Sequence, residues 1–235
     1  MLTVDFSRLT LRAGMRVLDA GCGGGRHLCE SFRTAGVDVV GVDLKWDDLC
    51  KTRAYLNLMA GETSGRWVVA KADVTKLPFA DRSFDIVVCS EVLEHIEDNR
   101  AAVGELVRVL KPGGDLVVTV PRYGPERICW ALSRAYHKEP GGHIRIYRKA
   151  DLTALLEAAG VRCRRISYRH GLHSPYWWLK CLVGHKNETC WLVRAYRKFL
   201  EWDIMEHPPL TALLDRMLNP LIGKSIVFYL KKGYR

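Results

Sequence analysis

No stretch of about 18 consecutive apolar residues occurs in this 235-residue chain, so no membrane-spanning helix is expected. The first 14 residues carry Asp5, Arg8 and Arg12 and lack an apolar core, so no secretory signal is expected. None of the eight cysteines stands in a Cys-x-x-Cys pair. That argues against a structural zinc site and a thioredoxin-type redox site. Without a secretory signal, reduced thiols and a cytoplasmic location are expected. Internal repeats and low-complexity tracts are absent too, which excludes solenoids and disordered linkers.

The composition is that of a globular protein: 48% hydrophobic and 26% charged. The charge is divided unevenly. Residues 1–120 hold 15 basic and 17 acidic side chains, whereas residues 121–235 hold 21 and 9. Five of the seven tryptophans also follow residue 120. The first half reads as a catalytic scaffold and the second as the part that meets a partner.

Short, nearly apolar runs at Met15–Ala20, Val37–Val42, Trp67–Ala70, Phe84–Cys89 and Leu116–Val120 read as parallel strands buried on both faces. Between them, His27–Ala35, Trp46–Met59 and Asn99–Leu110 read as helices, the last capped by Asp98. This alternation predicts a doubly wound α/β sheet. Residues 121–147 read as irregular, 149–159 as a helix and Val161–Tyr168 as a strand. Residues 171–222 read as a mostly helical, aromatic insertion, and Ser225–Leu230 as the last strand.

The most specific segment is Val17-Leu18-Asp19-Ala20-Gly21-Cys22-Gly23-Gly24-Gly25-Arg26-His27, a strand running through a glycine turn into a helix. Glycines there let the chain turn sharply and let a ligand approach the backbone. The turn is not a dinucleotide fingerprint, because Arg26 stands where the third glycine belongs, and it has no Gly-Lys-Ser/Thr. Asp19 would repel a pyrophosphate but suits a cationic amino-acid ligand.

In this order and spacing, residues 15–120 resemble the class I S-adenosylmethionine-dependent methyltransferases. The resemblance implies a Rossmann-like, seven-stranded, mostly parallel sheet with an antiparallel last strand, in a single domain over residues 1–235. Residues 1–120 would bind the cofactor; insertions 121–148 and 171–222 would bind and cover the acceptor. Asp19, Gly21 and Gly23 would cradle the methionine part, and Asp43, ending Val39-Val40-Gly41-Val42-Asp43, would accept the ribose hydroxyls. Asp73 would accept from the adenine amine, Leu44 and Val74 would sandwich the ring, and Ser90 would close strand four beside the methionine.

Strand four continues into Ser90-Glu91-Val92-Leu93-Glu94-His95. In a helical turn, Glu91, Glu94 and His95 would share one face. His143, in Gly141-Gly142-His143, would join them from beyond the neighbouring fifth strand. Two carboxylates and two imidazoles suit Mg²⁺ or Mn²⁺. The pattern resembles small-RNA 3′-terminal ribose methyltransferases, whose metal binds vicinal hydroxyls, and ubiquinone-pathway O-methyltransferases. Without a metal, Glu91, His95 and His143 remain the candidate catalytic groups. Gly-Gly-His-Ile-Arg-Ile-Tyr together with Pro175-Tyr176-Trp177-Trp178-Leu179-Lys180 resembles actinobacterial methyltransferases of polymethylated polysaccharides. The expected activity is O-methylation of a sugar or polyol hydroxyl on a small molecule or oligosaccharide, by a chain able to form a homodimer. The alternatives are RNA ribose 2′-O-methylation, for which no RNA-binding module is visible, and cofactor binding without catalysis.

Overall fold

A computed structural model describes residues 1–234. Seven strands form one sheet: β1 (Arg16–Ala20), β2 (Asp38–Asp43), β3 (Trp67–Lys71), β4 (Phe84–Ser90), β5 (Leu110–Pro121), β6 (Val161–Arg169) and β7 (Ser225–Lys232). Their spatial order is β3-β2-β1-β4-β5-β7-β6. β7 pairs antiparallel with both β5 and β6, and the remaining pairs are parallel. The strand order reverses between β1 and β4. In open α/β sheets the crevice at that reversal, beyond the carboxyl ends of the strands, holds the ligand.

Helices α1 (Arg26–Phe32) and α2 (Trp46–Met59) lie on one face of the sheet, where Leu28, Phe32 and Leu56 meet Val17, Val39 and Val227. Helices α3 (Asn99–Val109) and α6 (Lys149–Ala158) cover the other face through Val103, Leu106, Leu152 and Leu156. Burial on both sides is why the central strands carry uninterrupted Val, Leu and Ile. Asp98 caps α3 as expected, accepting from Ala101 N–H at 2.9 Å.

Three departures from the sequence reading exceed two residues. α1 stops at Phe32 rather than Ala35. β5 begins at Leu110, six residues early, and slips in register so that Phe84 opposes Leu110 while Ile86 opposes Asp115. Pro112 lacks a donor and Gly113 has φ +70°, so Lys111–Gly114 bulges out of the ladder. Residues 121–147 are not irregular throughout but hold α4 (Tyr123–Leu132) and α5 (Arg134–His137).

Residues 171–222 fold as α7 (His173–Val183), α8 (Trp191–Glu206) and α9 (Pro209–Ile222). They carry a small core of their own: Leu172, Tyr176, Val193 and Leu200, with Trp177 packed against it. Because β6 runs parallel to the central strands, this insertion leaves the sheet at the same edge as the crevice. Among the described residues, no helix is long and apolar enough to cross a membrane.

Candidate active site

The glycine turn after β1 sits at the strand-order reversal. Gly21 has φ +80°, and a Cβ there would collide with the Val92 side chain. Gly23 has φ +49°, and a Cβ there would meet nothing within 4 Å, because the position opens into a cleft of about 540 Å³. The turn is held from both ends. Gly21 and Cys22 N–H donate to the Val42 carbonyl at 2.8 and 2.9 Å, and Thr52 Oγ1 donates to the Gly23 carbonyl at 2.7 Å.

Asp43 ends β2 at the cleft wall. Its Oδ2 accepts from Gly23 N–H at 2.8 Å and its Oδ1 from Lys45 N–H at 2.9 Å. Each oxygen keeps a lone pair for a ligand hydroxyl. Across the cleft, Asp73 Oδ1 accepts from the Thr75 N–H and hydroxyl, both at 2.8 Å, and Oδ2 makes no such bond. Val74 is buried and Leu44 is 57% exposed at the mouth, so an apolar slot lies between strand ends.

Asp19 is the telling residue. It is 2% exposed at the end of β1, and neither carboxylate oxygen has a hydrogen-bond partner among the described residues. Burial pushes its carboxyl up to about 7, partly opposed by the Arg26 charge. An orphaned buried carboxylate next to an open glycine turn fits a ligand that brings its own cation. The site therefore suits the ammonium and ribose groups of the cofactor expected from the sequence.

A second polar group adjoins the cleft. Ser90 Oγ lies 2.9 Å from Thr119 Oγ1, which donates to Glu91 Oε1 at 2.9 Å. Glu91 has φ +56° and stands outside the 3-10 turn Leu93–His95, so the expected helical face of Glu91, Glu94 and His95 does not form. The groups whose ligand atoms converge, all within 4.8 Å of one another, are Glu94, His95 and His143; Glu91 turns to Thr119 instead.

The two imidazoles are oriented alike. His95 Nδ1 lies 3.0 Å from the Gly142 carbonyl and must be the donor, because a carbonyl only accepts. His143 Nδ1 donates to Glu126 Oε1 at 2.7 Å. Each ring therefore keeps Nε2 as its lone-pair nitrogen. Glu94 is fully buried, and both its oxygens lack a partner among the described residues. Burial, then the nearby Glu91, pushes the Glu94 carboxyl well above the carboxylate range.

Three contributors escaped the sequence reading. Glu126, on α4, is 1% exposed; burial would raise its carboxyl, but the bond from His143 holds it low. The half-buried Tyr136 phenol lies against the same carboxylate. Lys224 directs its charge at Glu94 and Glu126, with Nζ 4.9 Å from the centre of the Trp177 ring. These residues lie 31 or more positions from Glu94 or His95, and an isolated Glu, Tyr or Lys carries no spacing signal. Trp178 donates from Nε1 to the Pro125 carbonyl at 3.0 Å, tying α7 to α4.

A family model described as a methyltransferase domain matches residues 3–166. A ubiquinone biosynthesis O-methyltransferase of Xanthomonas euvesicatoria is 31% identical over 199 residues, covering 81% of this chain and 79% of that protein. The O-methyltransferase resE of Aspergillus sclerotiorum is 34% identical over 114 residues, 48% of this chain and 42% of that protein. The chain thus matches less than half the length of the fungal relative. The crystal structure of the [4+2]-cyclase SpnF aligns over 98% of this chain and 79% of its own, at 22% identity and TM-score 0.64. At that identity the likeness speaks for the fold alone.

Proposed function

The chain belongs to the class I S-adenosylmethionine-dependent methyltransferases, and from that premise we propose that it methylates a hydroxyl of a sugar or polyol, assisted by a divalent ion. The observation carrying this reading is the convergence of Glu94, His95 and His143 beside the cofactor cleft. Each histidine has its Nδ1 tied to a fixed acceptor, the arrangement that orients imidazole ligands toward a metal. The buried, unpartnered Glu94 supplies the carboxylate such a site needs.

When bound, S-adenosylmethionine supplies a methyl carbon already activated by its sulfonium. Mg²⁺ or Mn²⁺ on Glu94, His95 and His143 would lower the pKa of an acceptor hydroxyl and orient it. Glu91 serves here as the partner of Thr119, positioning the end of β4. Glu126 fixes the His143 tautomer, so that Nε2 carries the lone pair that would hold the ion. The chain's larger task is to hold the acceptor in line and keep water out, which is worth about 7–11 kcal/mol.

Trp177 and Tyr136, with ring centres 5.8 Å apart, offer flat apolar faces near His143, as pyranose rings require. O-methyl transfer is also the chemistry in the names of both relatives. The test is methyl transfer to a panel of hydroxylated acceptors, with and without chelator. Turnover on sugars that chelation stops and added ion restores is expected. Full turnover in excess chelator would remove the ion and leave His143 with Glu126 as the base. Turnover on amines or thiols alone would overturn the reading.

A further inference from the structure

Helix α9 is folded inside out. Leu210, Leu213, Leu214, Met217 and Leu221 are 40–71% exposed, while Thr211 and Asn219 are buried. At 3.6 residues per turn those five apolar positions form one stripe along the helix. The helix docks through its polar side instead. Asn219 Oδ1 accepts from Gly171 N–H at 2.8 Å, and Asp215 Oδ1 accepts from Leu172 N–H at 3.1 Å. The Ile222 carbonyl accepts from Ser174 Oγ at 2.6 Å. Hydrogen bonds to the start of α7 thus hold α9 in place, and the monomer leaves the apolar stripe uncovered. A contiguous exposed apolar patch of this kind marks an interaction surface.

The charge around the stripe narrows what covers it. An anionic lipid surface or a nucleic acid would be met by a surplus of bases. Residues 191–222 hold four basic and four acidic side chains, besides His207, although the half they belong to holds 21 and 9. Glu201 and Glu206 are exposed on α8. Of the two charged residues in α9, Asp215 bonds inward and Arg216 is exposed. The stripe is apolar and almost without charge, and it suits a surface like itself.

The stripe also reads the same in both directions. About the midpoint between Asp215 and Arg216, Leu210 exchanges with Leu221, Leu213 with Leu218, and Leu214 with Met217. Leu218 completes this set from the edge of the stripe, packed against the small core of the insertion. A two-fold axis at that midpoint, perpendicular to the helix, would set every apolar position of one α9 against an apolar position of an antiparallel α9. An isologous interface needs this self-complementarity, and side chains spaced three and four apart interdigitate in such a helix pair.

We propose that α9 is the two-fold interface of a homodimer, packed antiparallel against α9 of a second copy. The proposal is independent of the acceptor and of the ion. Its test is sedimentation velocity on the full chain over rising protein concentration, with Leu210→Glu, Leu221→Lys and the double variant. Leu210 and Leu221 are the most exposed residues of the stripe, at 68% and 71%. A glutamate in the first turn and a lysine in the last both complement the helix dipole, so neither substitution weakens α9 itself. The two positions are eleven residues apart, about 16 Å along one helix, so they can pair only across the two-fold axis. Melting temperature and affinity for S-adenosylhomocysteine, read in parallel, separate lost association from lost folding.

The wild-type chain is expected to pass from monomer to dimer as concentration rises. Each single substitution is expected to weaken dimerisation at least about tenfold, and the double variant to return within about threefold of wild type. Association is also expected to strengthen with salt, because the axis brings the two copies of Arg216 to the same flank. A chain that stays monomeric at every concentration, a dimer indifferent to Leu210→Glu, or a double variant no better than the singles would each overturn the proposal. A monomer that instead sediments with phosphatidylglycerol vesicles would overturn it in favour of a lipid surface.

Discussion

The two halves of the chain build their sites by opposite means. In residues 1–120 each group of the proposed cofactor cleft sits at a strand end or in the turn that follows, and is held by backbone a few residues or one strand away. Asp43 is fixed by Gly23 and Lys45, and the glycine turn by Val42. In residues 121–235 the groups that matter come from separate helices and loops. His143 is fixed by Glu126 on α4, Trp177 on α7 faces Tyr136 on α5, and Lys224 arrives just before β7. The first half makes a site by local geometry on a sheet; the second makes one by assembly.

The comparison would break most visibly at His143. His143→Ala should lower methyl transfer by roughly 10²–10⁴-fold, whether the acceptor hydroxyl loses activation by the ion or, with no ion, its base. Calorimetric affinity for S-adenosylmethionine should stay within about threefold, because His143 does not line the cofactor cleft. A parallel loss of cofactor affinity would mean that the halves are not separable.

Asp43→Ala and Gly23→Val probe the other half. Loss of charge-assisted bonds, each worth about 1.5–3 kcal/mol, should weaken cofactor binding on the order of 10²-fold. A valine at Gly23 projects into the open cleft and should do the same, with added strain at φ +49°. Near-wild-type affinity in either variant would contradict the cofactor site.

Trp177→Ala sharpens the question of what the insertion is. Trp177 packs against Leu172, Tyr176, Val193 and Leu200, so its truncation should destabilise the chain by about 2–3 kcal/mol, read as a lower melting temperature. Acceptor KM should rise while cofactor affinity holds at temperatures where the chain is folded. An unchanged melting temperature would make Trp177 purely a lid residue.

The smallest effect concerns pH. The Asp19 carboxyl is raised by burial to about 7, well above its unfolded value. Its contribution to stability is therefore greatest below the unfolded pKa and is lost as pH rises through about 7. Cofactor affinity should move the other way, increasing as Asp19 ionises to meet the ammonium. Asp19→Asn should flatten both curves. A pH-independent affinity in the native chain between pH 5.5 and 8 would detach Asp19 from the ligand.

The difference between the halves also explains what the sequence disclosed. Strand runs such as Phe84–Ser90 are apolar because both faces are covered, so burial writes them directly into the sequence. The glycine turn is legible because backbone dihedrals there restrict the residue type. Trp46–Met59 matches α2 end to end. The cluster proposed to hold an ion was legible only in part. Glu94, His95 and His143 do meet, but helical spacing misplaced Glu91, whose positive φ turns it away from the 3-10 turn that follows. Glu126 could not be read at all, since its role depends on α4 meeting a loop 17 residues later. The helices within 121–147 were missed for the same reason: Arg, Gly and Tyr dominate their local composition, and it is packing against α7 that stabilises α4.

The placement of β7 has a consequence for how the molecule comes into being. β7 is the last strand in sequence, yet it lies between β5 and β6. On the ribosome, β5 and β6 emerge in succession with no hydrogen-bonding partner for the edges that β7 will later fill. They must wait until the three helices of the insertion and then Ser225–Lys232 have been made. Two open edges of Val- and Ile-containing strand are the surfaces on which chains aggregate. The basic side chains along β6, Arg162, Arg164 and Arg165, stand on one of those edges. Through the interval before β7 arrives, their mutual repulsion between nascent chains guards a sheet that is still missing its keystone.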